Sequence, residues 1–413
     1  MRRVPHNFQT SFSLSRNFLL SFLPSVLHWR VKASSMKVIH PTRFDLSQDD
    51  IAAFRHHLES RGYAVVRNVV ENQEEIDRIS SMFWSWMESV PGTAVKRDDP
   101  STWIDKKDWI PSPGNGIVSG FGFNHSDFCW SVRMLPKVKA AFSAVWDDED
   151  DLLVSFDGGN AFRPWNNTYL QKNLKANIAK DWKTNAGWWH MDQNPRRPNH
   201  RGKACVQGLV SMTDATERTG GLCIVPGSHL EHDAVCARSE LSCGPMPMDF
   251  VPVDEHDPIL RTAENEPSLI CCQAGDLILW DSRTVHCNTP GTEAPILPEE
   301  DTTVEPGISN GDFTSSSSIP LLRLACYVCM TPRKMASQEV LARRQEAYEQ
   351  SFGTNHWPHE FHSRVAPLPG QPRRDPQQAP REVRCLVGYA DDEVQPNGDA
   401  SHRNESERGC SVS

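Results

Sequence analysis

From about residue 151 the chain reads as short apolar runs broken by turn residues: LLVSFDGG, GWWHMD, ACVQGLVSMTDA, GLCIVPGSH, SLICC, DLILWDS and LLRLACYVCM. Many short strands at close spacing predict an antiparallel sandwich or barrel. The first third has a different period. Residues 47–60 predict a helix capped by Ser47, with Asp49 and Asp50 in its first turn, where negative charge suits the dipole. GYAVVRNVV (62–70) predicts a strand. Residues 71–88 predict an amphipathic helix with Ile76, Ile79, Met82, Phe83 and Trp86 on one side. Further helical periodicity covers 134–146 and 334–351. The expected architecture is mainly β: a double-stranded β-helix (jelly roll, cupin-like) over 151–335, with helices of 45–150 packed on its outside.

Three stretches fall outside this pattern. Residues 1–36 are basic, Ser-rich and free of acids, the composition of an organelle transit peptide. That composition predicts a mitochondrial address, and translation from Met36 would instead leave the protein in the cytoplasm. Residues 291–319 hold six acids, three Pro, a Ser315–Ser318 run and no Lys or Arg, which predicts a flexible insertion between two strands. Beyond the C-terminal helix and extension at 336–366, residues 367–413 have little to bury and predict a disordered tail.

Composition narrows the partners. Residues 1–44 carry seven basic residues and no acid, so the 36 Lys and Arg of 45–413 face all 53 acids, a balance of −17. A body this acidic is a poor match to a phosphate backbone, which argues against nucleic acid. No run of eighteen apolar residues exists, so no helix is expected to span a membrane. The 12 cysteines are irregularly spaced, and the one C-x-x-C (Cys326, Cys329) sits in an apolar run without a second pair. They read as free thiols in a reducing compartment. The oligomeric state has no signature in the sequence.

The chemistry concentrates in three places. In GWWHMDQNP, His190 and Asp192 are two apart, and on a strand such residues share a face. His286 follows the apolar strand DLILWDS. Two imidazoles and one carboxylate are the facial set of non-haem Fe(II) oxygenases, which keep positions open for cosubstrate and O2. Arg323 lies inside the run IPLLRLACYVCM, where a lone cation is costly unless paired. Its planar fork matches a carboxylate, either an internal Asp or Glu or the distal carboxylate of 2-oxoglutarate. Arg283 and Arg333 compete for that role. Gln207, on ACVQGLVSM, is a candidate for a hydrogen bond to 2-oxoglutarate or to the metal-bound ligand. His229 in PGSH reads as a structural turn residue.

Together GGLCIVPGSHL (220–230), WWHMDQN and GDLILWDSRTVH resemble the phytanoyl-CoA dioxygenase family over roughly residues 60–335. The resemblance implies a 2-oxoglutarate-dependent dioxygenase. His190, Asp192 and His286 would hold Fe(II), Arg323 and Gln207 would bind 2-oxoglutarate, and ascorbate would serve as auxiliary reductant. A small organic molecule would be hydroxylated while 2-oxoglutarate and O2 become succinate and CO2. Asp192 argues against a halogenase, in which a small residue at this place leaves room for chloride. A family member that kept the fold and lost turnover is the alternative. One departure stands out. The anchoring Arg usually follows the distal His by about ten residues, whereas here the interval is 37, and removing the acidic insertion nearly restores it. The acids of that insertion and of DDEDD (147–151) would repel a polyanion, which predicts a neutral or cationic substrate and not a CoA thioester.

Overall fold

The computed structural model describes residues 37–390 apart from 105–107, 168–169, 172–173, 175–177, 240–248, 262–265, 293–318, 369 and 372. The N-terminal segment, nearly all of the acidic insertion and residues 391–413 therefore lie outside the described residues.

Two sheets face each other. The larger runs in the order β2 (Arg43–Phe44), β3 (Tyr63–Val66), β12 (Leu277–Asp281), β8 (Val206–Ser211), β14 (Arg323–Pro332), β6 (Gly159–Phe162), β4 (Ile117–Val118), with β5 (Leu152–Val154) also paired to β14. The smaller runs β1 (Lys37–Ile39), β11 (Ser268–Ile270), β9 (Gly220–Ile224), β13 (His286–Pro290), β7 (His190–Met191), β10 (Val251–Pro252). A short pair, β15 (Gly353–Thr354) and β16 (Ser363–Val365), follows the body. The core is thus the expected jelly roll.

Period two sorts the strand residues. On β12, Leu277 and Leu279 join the core beneath the helices, while Ile278 and Trp280 join the cluster between the sheets. On β14, Leu324, Cys326 and Val328 point to the helices and Ala325 and Tyr327 point inward. A sheet buried on both faces needs near-continuous apolar strands, which is why these runs show little alternation. The outer face of the smaller sheet carries its own cluster, including Met191, Cys223, Val285 and Cys287.

The helices cover the outer face of the larger sheet. Helix α1 (Ile51–Arg61) starts later than its sequence predicts. Ser47 does not cap it; the Ser47 carbonyl accepts from the amides of Asp50 and Ile51, closing a turn first. The Asp50 side chain is engaged by the amide of Asp45. Helix α2 (Gln73–Ser89) is capped by Asn72, whose side chain accepts from the amide of Glu75, and it buries Ile76, Ile79, Phe83, Trp86 and Met87. Two short helices follow, α3 (Asp127–Arg133), which the sequence reading missed, and α4 (Pro136–Val145). Helix α5 spans His232–Arg238, and α6 spans Gln338–Glu349.

The expectation of a disordered tail from 367 fails over part of its length. Helix α7 (Arg381–Val387) buries Val383, Leu386 and Val387, and Tyr389 beyond it is buried too. Composition hid this because a seven-residue helix needs only one apolar stripe to dock, and the polar residues around it dominate the average. Among the described residues no helix is long and apolar enough to cross a membrane.

Candidate active site

The jelly roll brings the three candidate ligands together. His190 opens β7 and His286 opens β13, and the two are direct cross-strand partners. Asp192 stands just past the end of β7, its amide donating to the Ser282 carbonyl at 2.9 Å. One ligand atom from each of the three residues lies within 4.8 Å of the others. His286 Nε2 is 3.2 Å from Asp192 Oδ2, and His190 Nε2 is 3.6 Å from Oδ1. The imidazole centroids are 4.3 Å apart.

Each ring is held by its other nitrogen. His190 Nδ1 donates to the Trp188 carbonyl at 3.1 Å, and His286 Nδ1 donates to the Thr284 carbonyl at 2.9 Å. A carbonyl only accepts, so Nδ1 carries the proton and Nε2 presents a lone pair, the tautomer that a metal requires. The Trp188 ring stacks on His190 at 4.9 Å. Burial pushes the His190 imidazole down to about 4, which keeps it neutral at physiological pH. The donor set and its protonation fit a divalent transition metal.

The loop that aims His286 is fixed through Gly62. The Gly62 carbonyl accepts from the Asp281 amide and from Thr284 Oγ1. Gly62 itself sits at φ +78°, and a Cβ there would stand 2.5 Å from His229 Nδ1 and 2.6 Å from Thr284 Oγ1. Only glycine ends α1 and touches this loop so closely. His229 donates to or accepts at no candidate ligand; its Nε2 bonds the Glu59 carbonyl at 2.8 Å, the structural part expected of it.

Gln207 faces the site. Its amide nitrogen donates to Asp192 Oδ2 at 2.8 Å, so it orients the carboxylate.

Arg323 is the unusual cation of the interior. It is 1% exposed, and Nε donates to Asn160 Oδ1 at 3.0 Å. Nη1 and Nη2 are buried without a protein partner among the described residues. Burial pulls the guanidinium below its ordinary value. Its two competitors are satisfied otherwise: Arg283 is bidentate to Asp281 at 2.9 and 2.8 Å, and Arg333 pairs with Asp151 at 2.8 Å. Strand β9 gauges the distance from Arg323 to the metal ligands. Ile224 lies opposite His286, while a Cβ at Gly221 would approach Arg323 Nη1 to 3.1 Å. Three residues of extended strand separate those positions, about 10 Å.

The acids of the insertion, on which the expectation of a neutral or cationic substrate rests, lie within 293–318 and so outside the described residues. The insertion leaves after β13 ends at Pro290, four residues beyond His286 and so roughly 13 Å along the strand. It rejoins just before Arg323. Its ends therefore flank the Arg323 side of the barrel and not the metal side. Within DDEDD, Asp148 pairs with Arg55, Glu149 with Lys334 and Asp151 with Arg333. Three of the five acids are thus paired with cations from neighbouring elements.

A sequence model of the phytanoyl-CoA dioxygenase (PhyH) family matches residues 58–290. The chain belongs to this family. It is a 2-oxoglutarate-dependent dioxygenase by that membership, as its motifs imply. The family match ends at the insertion, so Arg323 and everything C-terminal to it lie beyond the matched span. A relative, "Ava biosynthesis cluster protein O" of Aspergillus versicolor, is 24% identical over 318 residues, covering 76% of this chain and 88% of its own. Among solved structures, the non-heme alpha-ketoglutarate-dependent carbocyclase SnoK from nogalamycin biosynthesis is 15% identical, covers 71% of this chain and 86% of its own, and has a TM-score of 0.38. EctD from S. alaskensis with bound Fe is 12% identical over 72% of this chain and 81% of its own, also at a TM-score of 0.38.

Three site residues escaped the sequence reading. Asn160 bonds Arg323, His356 bonds the Asp192 carbonyl at 3.3 Å, and Asn288 donates to the Tyr327 hydroxyl at 3.5 Å inside the barrel. Each acts through one contact made by the tertiary fold, and nothing in its local sequence marks it.

Proposed function

We propose that the protein hydroxylates a small organic molecule, with Fe(II) held by His190, Asp192 and His286 and 2-oxoglutarate held by Arg323. The observation that carries this reading is the pairing of a complete two-His, one-Asp donor set with a buried guanidinium whose two terminal nitrogens have no protein partner among the described residues. A buried cation without a counter-charge is costly. Arg323 would hold the distal carboxylate of a dianionic cosubstrate, and His190, Asp192 and His286 would hold the metal that its keto-acid end would bind. The gauge of about 10 Å suits an extended five-carbon diacid once the metal–oxygen and hydrogen-bond lengths at its ends are counted.

Bound iron supplies the oxidising chemistry, coupling decarboxylation of 2-oxoglutarate to succinate and CO2 with attack on a substrate C–H bond. The residues supply everything else. Three protein ligands leave three coordination positions for cosubstrate and O2. Trp188 and the Thr284 carbonyl fix the ring planes, Gln207 fixes the carboxylate, and Asn160 fixes the fork of Arg323. Gly221 leaves room beside Nη1 for the carboxylate.

The test is succinate formation from 2-oxoglutarate with Fe(II), with and without ascorbate, screened against extracts and against acyl-CoA thioesters, free acids and uncharged analogues. Substrate-stimulated succinate with a hydroxylated product is the expected result. No succinate beyond that made by His286→Ala would leave the family fold without the activity.

A further inference from the structure

The residues behind Asp192 come from a part of the chain that the family match does not reach. Strand β7 is only two residues long, and its ladder ends at Met191. The Asp192 carbonyl is therefore left without a sheet partner, although it belongs to a half-buried residue beside the site, where an unpaired backbone acceptor is costly. His356 supplies the donor: its Nε2 lies 3.3 Å from that carbonyl oxygen, and the ring is 5% exposed.

His356 is itself part of a strap, residues 353–362, laid over the loop that follows Asp192. Its carbonyl accepts from Cys205 Sγ at 3.4 Å. The next residue, Trp357, is fully buried and stacks on His200 at 3.8 Å and 14°. His200 Nε2 bonds Glu360 Oε2 at 3.0 Å, and Glu360 also bonds His362 at 3.1 Å. The His200 carbonyl in turn accepts from Gln193, the neighbour of Asp192, at 3.2 Å. Two independent lines thus run from the strap to the candidate metal carboxylate, one through His356 and one through Trp357, His200 and Gln193.

We propose that His356 is a positioning residue for the metal site, fixing the main chain of Asp192 as Gln207 fixes its carboxylate, and that the strap completes a ligand loop which the family core leaves unfinished. The proposal rests on Asp192 being a metal ligand. It places the Nε2–H tautomer on His356, since a carbonyl cannot donate. The consequence is a site whose metal affinity depends on the chain beyond residue 335.

The experiment compares His356→Phe, which keeps a ring but has no donor, with His356→Gln, whose amide nitrogen can replace Nε2. Titration of the purified full chain with Fe(II), and the ligand-field absorption of its Co(II) form, are the readouts, with thermal unfolding of the metal-free protein alongside. Fe(II) binding in His356→Phe is expected to weaken about 10- to 100-fold, as for other groups that orient metal ligands. Its Co(II) spectrum should shift, its metal-free melting temperature should stay near that of the unaltered chain, and His356→Gln should recover most of the affinity. Unaltered affinity and spectrum in His356→Phe would overturn the proposal, and so would equal impairment of both variants. Should His356→Phe fail to fold, Trp357→Leu loosens the strap from His200 and must show the same weakening; unchanged metal binding there counts against the strap. His286→Ala keeps the two claims apart: if it binds Fe(II) normally, the ligand assignment fails, whatever His356 does.

Discussion

Gln207 donates its amide hydrogen to Asp192 Oδ2 at 2.8 Å, and the same oxygen lies 3.2 Å from His286 Nε2. One side chain of the larger sheet thereby sets the carboxylate of the smaller sheet against its histidine. Gln207→Leu removes the donor and leaves the oxygen to swing. Fe(II) affinity should fall about 10- to 100-fold. The 2-oxoglutarate KM measured at saturating iron should change far less, and a larger effect on KM would return Gln207 to a cosubstrate role.

The ligands themselves should behave as a set. His190→Ala, Asp192→Ala and His286→Ala are each expected to abolish Fe(II) binding and turnover, with circular dichroism close to that of the unaltered chain. The facial set has three members only, so no neighbouring group can replace a lost one. Retained iron and 2-oxoglutarate consumption in any of the three would remove that residue from the site.

Arg323 gives a two-sided prediction. Arg323→Met should raise the 2-oxoglutarate KM strongly, by a loss on the order of 2–5 kcal/mol, while leaving iron affinity nearly unchanged. The same change removes a buried charge that has no acid partner among the described residues, so the protein without cosubstrate should unfold at an equal or higher temperature. Arg283→Met and Arg333→Met should do the reverse, stranding Asp281 and Asp151 and leaving the KM alone. A KM shift in either of these, with none in Arg323→Met, would move the anchor.

What the sequence made legible follows from how local each signal is. His190 and Asp192 are visible because period two on a strand puts them on one face, and His286 because a long apolar strand delivers it to an edge. Arg323 is visible because a cation in an apolar run needs a reason. The same rules say nothing about Asn160 or His356, which lie 163 and 164 residues from the groups they touch. Ser47 was a good cap by type and lost to a turn that its own carbonyl closes. Nor do those rules show that three acids of the DDEDD run are ion-paired, because their partners Arg55, Arg333 and Lys334 come from other elements.

Helix α7, hidden in a polar tail, supports the last prediction. Arg344, on α6, is 1% exposed and donates only to carbonyls: Val387 from Nε, Pro358 from Nη1, Val154 and Leu386 from Nη2. It ties the end of α7, the strap and strand β5 to one point. Burial pushes its guanidinium down to about 9, so it stays charged at neutral pH. Arg344→Met keeps the apolar stem and orphans those buried acceptors, each of which costs about 1–3 kcal/mol. Some of them will find water once α7 loosens, so the net loss in urea unfolding should be on the order of 3 kcal/mol. Limited proteolysis should then cut near residues 376–390 before it cuts the jelly roll, because α7 has lost one of its tethers and buries only a short apolar stripe. An unfolding midpoint equal to that of the unaltered chain, with no early cleavage in this region, would show that α7 docks without Arg344, through its apolar side chains and the bonds from Arg333 and Gln345.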